Sequence, residues 1–422
     1  MPSSRKSILV TASWYPTKEN PFAGSFFKEQ CELLSREYDV TVLKLNPAVT
    51  LGIKYLGKRI TGKDIALVNI GEHENFHEYE CVVSRPLWYA LINNAYSRFM
   101  IKRKGIAGIG SIDTKSDRKF WRKHIDRLAA KLGKKYDLVY GISAQGTAQY
   151  AKLFADRSGV PYILSEHSPF PIPGTSMCDT FKEAMEGASS FLAISNDKIR
   201  QILMQNVHLK SIEYIGNIID TDKFRYEPQP HEVTSFLIVA ANSFYKNYDL
   251  FIKTMNRLTK ITDKPFSVII AGYDANKGYA QNVEELIRKI NESDFSDRVE
   301  MIPAVGRDEI SALYNRADAF VMTSIQEGQP VAPLEAASCG LPIFSTRCGG
   351  VEDYVDDEVG RVVGILDYEA LSDHLKDYLE GKISFDGNHI HEVIELKYGT
   401  EVFIKTFTRI VDSLIGDTDE QR

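Results

Sequence analysis

Two glutamates, Glu327 and Glu335, stand eight positions apart, and carboxylates so placed can each accept hydrogen bonds from hydroxyl groups of a ligand. Their surroundings supply something to flank. Residues Ala319 to Ser324 form a short apolar run that reads as a buried strand. Gly328, Gln329 and Pro330 break the chain. Val331 to Ser338 then suits a helix, with Pro333 tolerated in its first turn, Gly340 at its C-terminal cap and Pro342 beyond. A helix that begins directly after a strand offers unpaired N–H groups and a positive dipole end, a seat for a diphosphate. Gly328, Gln329, Pro330, Val331 and Ala332 form that seat, with Glu327 at its mouth and Glu335 about two turns in.

A cation belongs with such a seat, and Lys246 is the candidate. It follows the strand Phe236 to Ala240 and the loop Ala241–Tyr245, and precedes a helix containing Leu250, Phe251 and Met255. An ammonium there can neutralise charge on a departing diphosphate. The combination Glu327, Glu335, Cys339-Gly340-Leu341-Pro342 and Gly349-Gly350-Val351-Glu352 resembles the hallmark of retaining GT-B glycosyltransferases of family 4. The resemblance implies that Glu327 holds hydroxyls of a donor sugar and Glu335 the ribose of its nucleotide. Lys246-Asn247 matches the family's Lys-Gly or Lys-Asn step, whereas Ala241 stands where relatives carry an arginine. Gly272, after Ile269-Ile270-Ala271, is similar to the family's loop near the nucleotide base.

The N-terminal half carries weaker echoes of the same family. A dinucleotide enzyme would need G-x-G-x-x-G after its first strand. Here Val10 is followed by a loop with one glycine, Gly24, which disfavours NAD. Gly24-Ser25 stands where the family has a Gly-Gly pair that approaches the donor phosphates or acceptor. Ser143 takes the place of a histidine that the family often has after the strand Leu138-Val139-Tyr140. A histidine follows the next strand instead, in Ser165-Glu166-His167-Ser168, and the resemblance places His167 against the donor sugar or acceptor.

The remaining elements must position these groups. Strands and helices alternate, which indicates parallel sheets with crossover helices. Strands are expected at Ser7–Thr11, Asp39–Leu45, Asp137–Ile142, Tyr162–Ser165, Ser190–Ser195 and Ser211–Ile215. A second series comprises Phe236–Ala240, Ser267–Ala271, Val299–Ile302, Ala319–Thr323 and Pro342–Ser345. The polar, proline-bearing stretch Arg225–His231 reads as a linker, and a chain of 422 residues is expected to divide into two domains. The fold class is therefore α/β: GT-B, with two Rossmann-like parallel-sheet domains facing across a cleft. An acceptor-binding domain is expected over residues 1–225 and a nucleotide-sugar-binding domain over 233–397. The family's last helix crosses back to the first domain. Residues 398–422, with an apolar stripe of Phe403, Phe407, Ile410, Val411 and Leu414, fit that role.

Five cysteines without CxxC spacing argue for reduced thiols and against a zinc site or disulfide frame. No apolar run reaches the ~20 residues of a membrane helix, and no signal peptide is evident. The expectation is a cytoplasmic protein, peripheral at the inner face of the membrane. Residues 98–135 contain 13 Lys or Arg against three Asp in a chain of net charge −6. With Trp88, Tyr89, Tyr96, Phe99, Phe120 and Trp121 interleaved or nearby, this suits an anionic membrane surface. No nucleic-acid reading module is present.

The resemblance implies transfer of a glycosyl group, with anomeric retention, from a nucleotide diphosphate sugar. The acceptor is a glycan, possibly lipid-linked, of bacterial capsule, lipopolysaccharide or exopolysaccharide synthesis. No metal or other cofactor is expected, since Lys246 and the helix N-terminus do electrostatically what a metal does elsewhere. Two alternatives stand beside this: a sugar-nucleotide epimerase of the same architecture, and a catalytically silent nucleotide-sugar-binding relative.

Overall fold

The computed structural model describes residues 5–12, 14–17, 24–92, 95, 108–109, 115–168, 176–230, 232–275, 282–307 and 309–416. Two compact units emerge. The first comprises residues up to Ile194, Lys198–Ile215 and the C-terminal stretch from Ile404; the second comprises Ser195–Asp197 and Gly216–Phe403. The change of unit thus falls at Gly216, earlier than the expected boundary at residue 225. Residues before the linker already belong to the second core, where Ile219 and Phe224 are buried and Ile219 bridges to Gly399.

In the first unit, strands β1 (Ser7–Ala12), β2 (Asp39–Thr50), β3 (Ile65–His73) and β4 (Phe76–Pro86) form one side of an eight-stranded sheet. A separate parallel pair is made by β5 (Gly108–Ile109) and β8 (Ser176–Met177). The large sheet is completed by β6 (Leu138–Ile142), β7 (Tyr162–Glu166), β9 (Ser190–Ala193) and β10 (Ile212–Tyr214), in the order β10-β9-β7-β6-β1-β2-β4-β3. Every pairing is parallel except β3 with β4.

That antiparallel edge departs from the alternating pattern expected from sequence. β2 also runs to Thr50 rather than Leu45, because β4 pairs with it as far as Thr50 and Pro86. Pro47 is tolerated inside β2 for a simple reason. Pairing with β1 stops at Lys44, so one edge of the later residues has no ladder to break.

The second unit holds β11 (Thr234–Val239), β12 (Phe266–Ala271), β13 (Val299–Ile302), β14 (Ala319–Met322), β15 (Ile343–Thr346) and β16 (Gly360–Val363). All run parallel, in the order β13-β12-β11-β14-β15-β16. Counted along the chain, this is third, second, first, fourth, fifth, sixth, the doubly wound order in which strand succession reverses between β11 and β14. Its inner strands β12, β11, β14 and β15 are largely buried on both faces, as near-continuous apolar runs require, whereas the edge strand β13 is partly exposed. β16 was missed by the sequence reading; a four-residue strand opened by Gly360 gives little apolar signal.

The helix Thr400–Ile415 ends the described chain. Phe407, Ile410 and Val411 are buried, with Phe407 against the rings of Tyr38 and Tyr140. Lys6 reaches Asp412 at 2.8 Å and Arg409 reaches Glu213 at 2.8 Å, so from Ile404 onward the stripe and its polar flanks serve the first unit, whereas Phe403 belongs to the second. Among the described residues no helix is long and apolar enough to cross a membrane.

Candidate functional site

In the second unit the residues of interest gather at the carboxyl ends of β11 and β14, the two strands that flank the reversal of strand order. Ligands in such sheets bind at this crevice. After β11 the chain makes a short 3-10 turn, Phe244–Lys246, and Asn247 takes a left-handed conformation at φ 51°. Its side chain accepts the backbone N–H of Leu250 and caps the helix Tyr248–Ile261. Thr323, directly after β14, donates its hydroxyl to the carbonyls of Lys246 and Asn247 at 3.1 and 3.2 Å. These bonds tie the two loops together. Lys246 Nζ then lies 2.6 Å from Glu327 Oε1, with the side chains 31% and 15% exposed.

Beyond Glu327 the loop is held from several sides. The Glu327 N–H donates to Cys348 O at 2.7 Å, and Ser195 Oγ donates to Gly328 O at 2.9 Å. Gly350, at φ 72°, packs so closely that a Cβ there would collide with the Gly328 carbonyl and Gln329. The Gly-Gly pair is therefore a packing requirement of this loop. Gln329 is buried, and its side-chain oxygen accepts the Asn217 N–H. Asn217 Nδ2 also donates to Gln329 O at 2.8 Å, so Gln329 serves to fix the loop. Pro330 occupies the N-cap of the helix Val331–Ser338. Neither Pro330 nor Pro333 has an N–H, which leaves Val331 and Ala332 to supply the amide donors of the first turn.

Glu335 is placed differently from Glu327. It is 3% exposed, one oxygen accepts from the Arg307 guanidinium, and the other accepts the Tyr314 hydroxyl at 2.8 Å. Burial, followed by the neighbouring Glu335 charge, pushes the Tyr314 phenol well above its ordinary range, so it remains a donor. Arg307 and Tyr314 were missed from sequence. The turn Val305-Gly306-Arg307 after β13 was the available signal for the first, and Tyr314 lies on an ordinary helical stretch. Gly272 sits after β12 at φ 72°, its N–H bonded to Ile302 O at 3.0 Å, with nothing closer than 3.9 Å to a Cβ built there. Burial raises the Cys339 thiol to about 12 and pushes the Cys348 thiol well above its ordinary range; neither supplies a thiolate nucleophile.

The first unit presents His167, Ser143, Gly24 and Ser25 at the carboxyl end of its own sheet. His167 Nε2 is 3.0 Å from Ser165 Oγ, which also accepts the Tyr140 hydroxyl at 3.0 Å, and Gln30 donates to that hydroxyl at 3.2 Å. The Phe27 ring meets His167 edge-on at 4.7 Å. Glu166 is fully buried and accepts the N–H groups of Gln145 and Ser168 at 2.7 and 2.8 Å. It fixes the loops after β6 and β7. Ser143 adopts φ 63° at the start of the helix Ala144–Ser158. Gly24 caps Ser25–Leu34 at φ 67°, and a Cβ on it would stand 2.7 Å from the Trp14 carbonyl. Ser25 is half-buried in the first helical position.

The basic segment 98–135 lies partly outside the described residues. Within the described part, Arg118 pairs with Glu183 and Arg127 with the buried Asp64. Lys134 pairs with Asp39, and Trp121 is core. Several of its cations thus serve the fold.

A family model described as glycosyl transferases group 1 matches residues 220–392. Among curated proteins, the chain is similar to the phosphatidylinositol N-acetylglucosaminyltransferase gpi3 subunit of Schizosaccharomyces pombe. The two are 24% identical over 278 residues, 64% of this chain and 59% of that protein. The chain spans about half the length of the curated relatives it matches. Among solved structures, it resembles sucrose-phosphate synthase from Thermosynechococcus elongatus with a TM-score of 0.69 and 13% identity, covering 97% of this chain and 99% of that one. Anabaena HepE in complex with UDP gives a TM-score of 0.65 at 14% identity, covering 97% and 100%.

Proposed function

Residues 220–392 match glycosyl transferases group 1 and the chain has the GT-B fold, and from that premise we propose that it moves a glycosyl group from a nucleotide diphosphate sugar to a hydroxyl acceptor. The observation that carries this reading is the pairing of Lys246 with Glu327 at 2.6 Å beside the helix Val331–Ser338. A cation, a sugar-accepting carboxylate and a helix N-terminus meet at one reversal point. The Lys246 ammonium and the amides of Val331 and Ala332 take up negative charge on the departing diphosphate. Glu327 accepts hydrogen bonds from hydroxyls of the transferred sugar, and Glu335 serves the ribose. Gly272 borders the base. His167 and the Gly24-Ser25 turn serve the acceptor side.

The bond between the anomeric carbon and the diphosphate oxygen breaks. A bond from that carbon to the acceptor oxygen forms on the same face, giving retention. The acceptor proton passes to the leaving phosphate, and the nucleoside diphosphate departs. Lys246 and the helix end supply the electrophilic assistance, so the proposal includes independence from divalent metal.

A UDP-sugar is the first donor to test, because UDP is bound to the HepE neighbour. The name of the S. pombe relative points to N-acetylglucosamine and an inositol lipid. The bacterial-polysaccharide reading keeps a lipid-linked glycan as acceptor, with the enzyme at the cytoplasmic face and 98–135 toward anionic lipid. Both readings share a lipid-borne hydroxyl.

The test incubates the protein with UDP-, GDP- and ADP-sugars, with and without acceptor and with chelator present. Acceptor-dependent release of nucleoside diphosphate supports transfer. Conversion of donor without acceptor would assign an epimerase, and nucleotide binding without turnover a silent relative.

A further inference from the structure

We propose that the carboxyl-end rim of the first sheet, built by the helix Gly52–Ile60 and the helical segment 87–92, docks on an anionic lipid bilayer. The two elements leave the sheet side by side, because Thr50 at the end of β2 pairs with Pro86 at the end of β4. Along the first helix, Ile53, Leu56 and Ile60 recur at i, i+3 and i+7, one helical face. They are 88%, 59% and 85% exposed, while Tyr55 turns inward at 6%. The neighbouring segment repeats the arrangement. Trp88, Leu91 and Ile92 are 59%, 58% and 60% exposed, and Tyr89 is buried. Single exposed aliphatics are ordinary on a protein surface; two adjoining elements with their apolar faces outward are a patch.

Charge selects the occupant. Lys54, Lys58, Arg59 and Lys63 are exposed, and residues 51–63 contain no carboxylate although the chain's net charge is −6. An apolar stripe flanked by lysines and accompanied by tryptophan suits the headgroup region of an acidic bilayer. An isologous contact between two copies would set the same cations against each other. The helix is also anchored. Asp64, just after it, accepts two bonds from Arg127 at 2.6 and 2.7 Å, which ties the stripe to the helix Lys115–Leu132.

The exposed cations of this surface, Lys54, Lys58, Arg59 and Lys63, do not come from the basic segment 98–135. Docking would bring Ser143 and His167, at the same carboxyl edge, toward the bilayer, and that consequence rests on the lipid-borne acceptor proposed above.

The experiment is co-sedimentation of the full chain, without donor, with phosphatidylcholine vesicles containing none or about one-third phosphatidylglycerol. Binding to the acidic vesicles that weakens with salt is expected. The triple variant Ile53→Ser, Leu56→Ser, Ile60→Ser should bind about tenfold or more weakly, with an unchanged melting temperature and unchanged transfer to a water-soluble acceptor. Equal binding by the variant, or no binding by the parent protein, would overturn the proposal. So would a concentration-dependent dimer that the triple variant abolishes, which would assign the stripe to a second copy. Because vesicle binding is read without donor, failure of glycosyl transfer would leave this result standing.

Discussion

The reversal points of the two sheets share a strand–loop–helix construction but hold different chemistry. In the second unit, the ends of β11 and β14 bring an ammonium onto a carboxylate at a helix N-terminus. In the first, the ends of β1, β6 and β7 carry a chain of neutral hydrogen bonds from Gln30 through Tyr140 and Ser165 to His167, with Phe26 and Phe27 beside the imidazole. The carboxylate there, Glu166, is spent on backbone N–H groups. Among the residues described, the ammonium–carboxylate pair at a helix N-terminus belongs to the second unit, and the hydroxyl–imidazole chain to the first. The architecture alone does not distinguish the two; the diphosphate site proposed for the second unit rests on the cation and the helix end after β11 and β14.

The sharpest way to break this contrast is to remove the charges. Lys246→Ala and Glu327→Ala should each lower kcat by about a hundredfold, the effect of losing one preorganised contact worth ~3 kcal/mol. Melting temperatures should stay close to that of the parent, because both side chains are partly exposed. Near-normal turnover in either variant would remove that residue from the chemistry. Glu335→Ala should behave differently. Its oxygens satisfy Arg307 and Tyr314 inside the core, so its loss should cost on the order of 2 kcal/mol of stability as well as nucleotide affinity. Thermal unfolding that leaves Glu335→Ala as stable as Glu327→Ala would deny the distinction between the two glutamates.

Much of the second unit was legible before the structure. The strand–break–helix pattern around Glu327 follows from an apolar run, a Gly-Gln-Pro break and an apolar helix, and each feature has a local cause. Lys246 was legible for the same reason. What sequence could not show is that Lys246 and Glu327 touch, since 81 residues separate them. The partners of Glu335 were hidden likewise, because they come from a turn and a helix whose own patterns carry no chemical signal. The role of Gln329 differs from the expected one: its buried amide fastens the loop to Asn217. In the first unit the hairpin of β3 and β4 was missed, because a parallel alternation was assumed where a short turn at Glu74-Asn75 reverses the chain.

A smaller effect tests the neutral side of the comparison. His167→Ala removes the hydrogen bond with Ser165 and the ring contacts with Phe26 and Phe27. About a tenfold fall in kcat/KM is expected, carried by the acceptor rather than the donor. Equal effects on the KM values for donor and acceptor would erase the division of labour between the units.

The smallest effect concerns Glu352, which closes the Gly-Gly motif. Burial raises its pKa, and the N–H groups of Glu352 and Gly349 and the Arg347 charge only partly offset that. Its Oε2 is buried with no hydrogen-bond partner among the described residues. A carboxyl whose folded-state pKa lies above the unfolded value binds its proton more tightly in the native protein. Stability therefore falls as pH rises from the ordinary carboxylate value through the raised one. Glu352→Gln keeps the shape and removes the charge. It should gain about 0.5 kcal/mol near pH 7 and nothing below about pH 4, measured by denaturant unfolding at both values. A loss at neutral pH would instead mean that the ionised Glu352 is held by the loop.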